Sequence, residues 1–464
     1  MPTLGLSMIV KNAADTIRPC LESVHKIVNQ IVIADTGCTD NTCDIAREFG
    51  ATIVSFPWES DFAKARNAGL VPMTTDWILV LDADEELDRD AALHLPALLK
   101  SGNVGGYVTP IRNYMLTRFN RGWDRVGVPN DYRHERARNA PSYIAHENCR
   151  LFQRHPGIYF SGRVHELVEP QIRTLGMKLL PATFFIHHFG PLVTQETRER
   201  KNAFYRDLMR KKAEDSPNDP VAWTQLGLHE FECFHQVEEA LRCFERALTL
   251  QPAAAEAWLF KGMVLLKLER YQEALNALQH DRRNGSSFAL REGLRGDALY
   301  GVGRHREAMV AYRRALKLSA GNPELESKLG YTEVKLGHKT AGLARLRHAA
   351  QAVPDVHAIH DRLMKACIMA GRLEEAAEVA EKFTLVIGHP KLFLRAASIR
   401  AQLKQWSQAE ETLSRGLQLF PESQELQVAC AEVRSRTQAA SDASRDADRE
   451  AYRGKKDEHT LVVD

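Results

Sequence analysis

The sequence predicts an α/β domain with a mostly parallel sheet, followed by an all-α domain of stacked helical repeats. Three observations carry this. Short apolar runs and amphipathic stretches alternate over the first eighty-odd residues. The texture changes at Pro217, and beyond it small residues recur at a fixed period. The chain, at 464 residues, is also too long for one ordinary core, so two domains of about 200 residues are expected.

The alternation reads element by element. Residues 4–10 form a first strand, followed by a helix with Ile17, Leu21 and Val24 on one face. Residues 31–34 form a second strand. Asp40 can cap a helix over 41–49, which Gly50 ends. Residues 52–55 are a third strand, 61–70 a helix, and 77–81 a fourth, fully buried strand. Strands alternating with helices argue for a parallel sheet covered on both faces, with ligands bound beyond the carboxyl ends of the strands. Residues 100–200 are less regular. Arg112, Arg118, Arg121, Arg125, Arg133, Arg136 and Arg138 read as a long loop or lid, with strands near 150–152, 158–160 and 183–186 after it.

In the second half, Ala240, Ala274, Ala308, Gly342 and Ala376 are spaced by 34 residues, with Ala409 following 33 later. Gly227, Gly262, Gly296 and Gly330 recur in the first helix of each pair, and Pro252, Pro354 and Pro421 close repeats. Small residues recur because paired helices must approach closely where they cross. This pattern resembles the tetratricopeptide repeat, in about six copies over 217–422. Such repeats stack into a solenoid whose groove typically holds a peptide or protein. The expected boundaries are 1–200 for the α/β domain, 201–216 for a linker helix, 217–433 for the repeats and 434–464 for a disordered, charged tail.

Composition narrows the function. A formal net charge of +2 points to neither nucleic acid nor an acidic tail. No apolar run approaches the roughly 20 residues of a membrane helix. The first residues read as a strand rather than a signal peptide, and eight scattered cysteines favour a reducing compartment. The expected location is the cytoplasm, with a peripheral place at the inner membrane face as the variant.

The chemistry gathers at strand ends: Lys11-Asn12 after the first, Asp35 after the second, Asp82-Ala83-Asp84-Glu85-Glu86 after the fourth. No GxGxxG or GxxxxGK[ST] is present, which removes the main support for dinucleotide and P-loop readings. A nucleotidyltransferase would be expected to carry a Gly-rich loop near the first strand, where this chain has LSMIVKNAAD. In order, SMIVKNAADT, VIADTGCTDNT, FAKARNAG and DWILVLDADEEL resemble the family 2 glycosyltransferases with the GT-A fold, over roughly residues 3–200.

That resemblance implies inverting transfer from a nucleoside-diphosphate sugar, most simply UDP-linked, to a peptide, protein or saccharide acceptor. It implies Asp35 on the base or ribose of the nucleotide. Asp82 and Asp84 form the Asp-x-Asp motif, one touching ribose and the other holding Mn²⁺ or Mg²⁺. Carboxylates suit that role because a hard cation offsets the charge growing on the diphosphate leaving group. Lys11 and Arg66 are further candidates for the nucleotide, and His188, in FFIHHFG, for the metal or diphosphate. The general base is expected about 80 residues after the metal motif, at Glu166 in GRVHELVEP, with Glu147 and Asp131 as alternatives. Each has a plain structural alternative: a capped turn for Asp35 and the Asp-x-Asp run, a solvated helix face for Arg66, an arginine pair for Glu166, a strand end for His188. One departure is Ala13, where the family usually carries an acidic residue after Lys-Asn. It keeps open a second reading, a repeat scaffold with a catalytically impaired sugar-nucleotide domain.

Overall fold

The structure, a computed structural model, describes residues 2–100, 102–116, 119–120, 125–131, 134–192, 194–280, 286–354, 356–387 and 389–458. The chain forms two compact units, one of residues 1–268 with 279–282, the other of residues 269–278 with 283–464. The division thus falls inside the repeats rather than at Pro217.

In the first unit the expected alternation is present: β1 (Leu4–Val10), α1 (Ala14–Val24), β2 (Gln30–Asp35), α2 (Thr42–Glu48), β3 (Thr52–Ser55), α3 (Phe62–Leu70) and β4 (Trp77–Val80). β1 pairs in parallel with β2 and β4, and β2 with β3. Leu4, Leu6, Met8 and Val10 are buried on one face, while Ser7, on the other, is buried as well. Both faces are therefore covered, which is why the strand reads as a continuous apolar run. Asp61 caps α3 by accepting from Lys64 N, and Gly50 takes φ +73° just after α2, a left-handed conformation that glycine adopts without steric cost.

β5 (Glu85–Leu87), α4 (Ala91–Leu98) and β6 (Val104–Met115) follow. After β6 come two short paired strands, β7 (Phe119–Asn120) and β8 (Arg125–Val126), then β9 (Val128–Pro129), β10 (Ser142–Gln153), α5 (Glu169–Thr174), β11 (Lys178–Pro181) and β12 (Ile186–His188). The main sheet runs β3-β2-β1-β4-β10-β6-β12-β5. β10 lies antiparallel to both β4 and β6, so the sheet is mixed rather than mostly parallel. Arg112, expected in a loop, lies in β6, whose buried Tyr107, Ile111 and Tyr114 point into the core despite the intervening Gly, Pro and Arg. Residues 158–160 form no strand, and the last strand starts at Ile186 rather than 183. Arg118, Arg121 and Arg133 lie outside the described residues.

α6 (Gln195–Asp215), α7 (Pro220–Phe234) and α8 (Val237–Leu250) belong to this same unit, with α9 (Ala255–Lys267). Leu208, Met209 and Ala213 of α6, Ala222 and Leu226 of α7 and Cys243 of α8 bury one cluster with Val164, against Trp58, Phe62 and Tyr205. Lys212 Nζ donates to Val164 O and to Gln225 Oε1. The first repeat is thus packed onto the α/β core.

The chain continues with α10 (Tyr271–His280), α11 (Ser286–Gly301), α12 (His305–Leu318), α13 (Pro323–Lys335), α14 (Lys339–Ala352), α15 (His357–Met369), α16 (Leu373–Ile387), α17 (Pro390–Gln402) and α18 (Trp406–Leu419). The final helix, α19, spans Gln424–Glu458, so the stretch expected as a disordered tail is helical as far as Glu458. Its Ala, Glu, Gln and Arg favour helix even without apolar periodicity. Among the described residues no helix is long and apolar enough to cross a membrane.

The reason for the recurring glycines is plain where α13 crosses α14. A Cβ on Gly342 would lie 2.5 Å from Gly330 O, and one on Gly330 would lie 2.7 Å from Gly342 O. Backbone carbonyls on both sides leave no flexible side chain to yield. Gly342→Ala is expected to lower stability by about 1–3 kcal/mol through overpacking, measured by urea unfolding; an unchanged midpoint would show that the helices can separate freely.

Candidate active site

A cavity of about 700 Å³ opens beyond the carboxyl ends of β1 and β4. Val10 and Lys11 line it from β1 and the turn after it, Asp82 and Asp84 from the turn after β4, and His146 and Arg150 from β10. Glu166 closes another side, and Lys201, Tyr205, His229 and Cys233 come from α6 and α7.

Asp82 lies between two guanidiniums. Arg66 Nη2 donates to its Oδ1 at 2.8 Å and Arg150 Nη2 to its Oδ2 at 3.2 Å. Burial alone would raise its pKa, but the two cations hold the carboxyl well below the usual range. Arg66 Nε donates to Glu166 Oε1 at 2.6 Å, so one guanidinium joins the metal motif to the candidate base. Arg150 Nη2 also donates to Glu85 Oε1 at 2.9 Å, while Glu85 Oε2 accepts from Asp82 N. Glu85 is 1% exposed, and burial pushes its carboxyl up to about 7. Arg66 Nη1 and Arg150 Nε are buried without a partner. The register of β10 shifts between Cys149 and Leu151, and this irregularity lets Arg150 stay buried between two core neighbours and reach the acidic turn.

Asp84 has a different partner. His188 Nε2 lies 3.5 Å from its Oδ2. The opposite ring nitrogen, His188 Nδ1, is 2.6 Å from Asn113 Oδ1. Asn113 Nδ2 is 2.6 Å from His146 Nδ1, and burial pushes the His146 pKa down to about 4. A neutral His146 accepts there, which fixes the amide so that Asn113 Oδ1 accepts from His188 Nδ1–H. The lone pair of a neutral His188 is then on Nε2, facing Asp84. Burial opposes protonation of His188, but the bond to Asp84 raises its pKa above the usual value.

A divalent cation fits this pair. The carboxylate and Nε2 face one another, and the ring is oriented by an amide on its other nitrogen, as metal-bound histidines generally are. Gly190 lets both side chains close against the backbone. A Cβ there would sit 2.4 Å from His188 Nε2 and 2.5 Å from Asp84 Oδ2. Asp82 fits less well as a ligand, because both its oxygens already accept from arginines.

The glycosyl transferase family 2 model matches residues 6–156, and a tetratricopeptide repeat model matches residues 234–284. The family 2 match lies wholly within the first unit. Among curated relatives, a TPR repeat-containing protein of Synechococcus elongatus is 30% identical over 237 residues, 49% of this chain and 52% of that protein. An uncharacterized glycosyltransferase of Rickettsia felis is 31% identical over 113 residues, 23% of this chain and 38% of the relative. Glycosyltransferase SunS of Bacillus subtilis is 36% identical over 91 residues, 19% of this chain and 22% of the relative. The chain thus spans about half the length of the first of these, and less of the others. Similar solved structures include the pilus biogenesis factor PilW, with TM-score 0.39 and 21% identity over 45% of this chain and 97% of that one. The TPR protein YrrB has TM-score 0.32 and 19% identity over 40% and 96%.

Within the first unit the candidate residues separate. Lys11, Arg66, Asp82, Asp84, Glu166 and His188 share the cavity. Asp35 does not line it; its Oδ1 accepts from Gly37 N and Cys38 N, which fixes the turn after β2, and the neighbouring Thr36 lines the cavity instead. Glu147 and Asp131 are not in its wall either, and Asp131 accepts from Arg112. His187 packs away from the site, its Nδ1 on Tyr114 OH and its ring stacked on Tyr114 and Phe189.

Sequence reasoning did not assign Arg150, Asn113, His146 or Tyr205 to the site. His146 and Arg150 stand in HENCRLF, the segment of the alternative base Glu147. Asn113 gave no signal, because pairing β6 with β10 is what brings it to His146 and His188. Replacing Arg150 with Met leaves Glu85 without its buried counter-charge and Asp82 with Arg66 alone. The expected loss is about 3 kcal/mol at neutral pH, shrinking as pH falls and Glu85 takes up a proton. Thermal melts across pH check this; equal losses at all pH values would count against charge compensation.

Proposed function

We propose that the chain is an inverting glycosyltransferase. It moves a sugar from a nucleoside-diphosphate sugar, UDP-linked by preference, to a peptide, protein or saccharide acceptor. The repeats recruit that acceptor or a protein partner through their groove. The observation that carries this reading is the Asp84–His188 pair, packed against Gly190, in the cavity that also holds Glu166.

Asp84 and His188 would hold the cation, and an imidazole in the donor set favours Mn²⁺ over Mg²⁺. When bound, such an ion acts as a Lewis acid toward the diphosphate leaving group. The chain's own residues do the rest. Asp82, fixed by Arg66 and Arg150, offers its carboxylate edge to a ribose hydroxyl. Lys11 and the unpartnered N–H of Arg66 supply positive charge for phosphate oxygens. Asp35 contacts the base or ribose from the neighbouring strand end. Glu166 takes the proton of the acceptor hydroxyl, its carboxylate oriented by Arg66 Nε.

The scaffold reading draws on Ala13 and on the arginine pairing of Asp82. The two readings differ in ligand binding. UDP with Mn²⁺ is expected to raise the melting temperature of the wild type, by about 2.7 kcal/mol at 100 times the dissociation constant. Gly190→Ala should weaken the Mn²⁺-dependent part as Asp84→Ala does, because its methyl would push Asp84 and His188 out of place. Absence of any Mn²⁺ effect in the wild type would favour the scaffold.

The base assignment is tested by Glu166→Gln over a panel of UDP-sugars and acceptors. Removing a general base costs about 10²- to 10⁴-fold in rate, and UDP–Mn²⁺ binding should survive. Near-normal transfer, or an equal loss of binding and turnover, would make Glu166 a holder of Arg66 only.

A further inference from the structure

A second cluster of ligating groups lies at the end of β2, apart from the Asp84–His188 pair. One carboxylate oxygen of Asp35, Cys38 Sγ and Cys43 Sγ all lie within 4.8 Å of one another, and all three residues are partly exposed. We infer that this trio is a binding site for a soft divalent cation of the zinc class, and that it shares Asp35 with the nucleotide.

The fold builds the trio from three directions. Asp35 ends β2, and its Oδ1 accepts from Gly37 N at 2.9 Å and Cys38 N at 2.7 Å. Gly37 takes φ +105°, which folds the chain back so that Cys38 approaches the carboxylate. Cys38 Sγ also accepts from Asn12 N at 3.3 Å. Asn12 is held at φ +49°, and its Oδ1 accepts from Thr39 N at 2.7 Å, so the two loops are locked together. Cys43 arrives from the first turn of α2, which Asp40 supports by accepting from Thr42 N.

The chemistry of the donors selects the ion. Two thiolates and one carboxylate suit tetrahedral Zn²⁺ or Cd²⁺, with a fourth place for water. Mg²⁺ and Mn²⁺ prefer oxygen and would favour the other site. Each thiol gives up its proton on binding the ion. The trio therefore differs in kind from the Asp84–His188 pair. The Asp35 carboxylate, once engaged by a soft ion, is withdrawn from the nucleotide. That last step rests on the nucleotide role proposed for Asp35, whereas metal binding does not.

The test uses the full chain, reduced and free of metal, titrated with Cd²⁺ and then Zn²⁺. Thiolate-to-Cd²⁺ charge transfer in the ultraviolet reports sulfur ligation only, so binding at Asp84 and His188 does not register, and no nucleotide is needed. The expected result is a band saturating at one equivalent. It is lost in Cys38→Ser and in Cys43→Ser, with affinity at least about tenfold weaker in Asp35→Asn. In the wild type, Cd²⁺ should shield Cys38 and Cys43 from alkylation, read by peptide mapping, which needs no folded variant. In the binding assay with UDP, saturating Zn²⁺ should weaken the wild type but not the Cys38→Ser/Cys43→Ser double variant. A band of undiminished strength in that double variant, or no band while both thiols alkylate freely, would overturn the site.

Discussion

Two arginines hold the acidic turn after β4 in place. Without Arg66 and Arg150, the carboxylates of Asp82, Glu85 and Glu166 would crowd one partly dry cavity, and repulsion would drive them apart or keep them protonated. Arg66 reaches Asp82 and Glu166 with separate nitrogens, and Arg150 reaches Asp82 and Glu85 with one. The guanidinium's fixed fork is what makes this possible; a lysine could neutralise charge but not set the angle between two carboxylates. The turn can then present Asp84 to His188 as the one carboxylate of the motif with no arginine partner among the described residues.

This arrangement divides labour within the Asp-x-Asp run. Alternate residues of an extended turn can reach one ion, yet here they face different partners. Asp82 is held toward the β10 side and Asp84 toward β12. The division follows from the mixed sheet: β10 enters antiparallel beside β4 and delivers Arg150, and β12 pairs with β5 so that His188 sits opposite Glu85.

Much of this was legible in the sequence. The first four strands, the helices between them and the 34-residue period are local patterns, and they appear in the structure at nearly the expected places. Lys11, Asp82, Asp84, Glu166 and His188, which share one cavity, each stand at a strand end or in a short motif. What was not legible depends on pairing between distant segments. Residues 112–138 read as a loop because arginines crowd them with few apolar residues between, although residues 112–115 belong to β6 and pair with β10. Asn113 and His146 meet only through that pairing. Gly190 was visible next to His188-Phe189, but only the distances to Nε2 and Oδ2 explain why no side chain stands there.

In space the α/β domain and the first repeat share one unit, and the cavity draws on both. Tyr205 and Met209 on α6, with His229 and Cys233 on α7, form a wall of the cavity that Asp82 and Asp84 enter from the opposite side. The same helices bury Leu208, Met209 and Leu226 against Val164, two residues before Glu166. Glu166 follows His165, whose backbone is held at φ +56°, a conformation a non-glycine residue keeps only when its surroundings demand it. Lys212, donating to Val164 O, supplies part of that demand. The segment carrying the candidate base is therefore positioned from the repeat side as well as by Arg66. Repeats that only recruited a partner would have no need to enter the cavity wall. Their first helix, α7, is on this geometry part of the cavity wall.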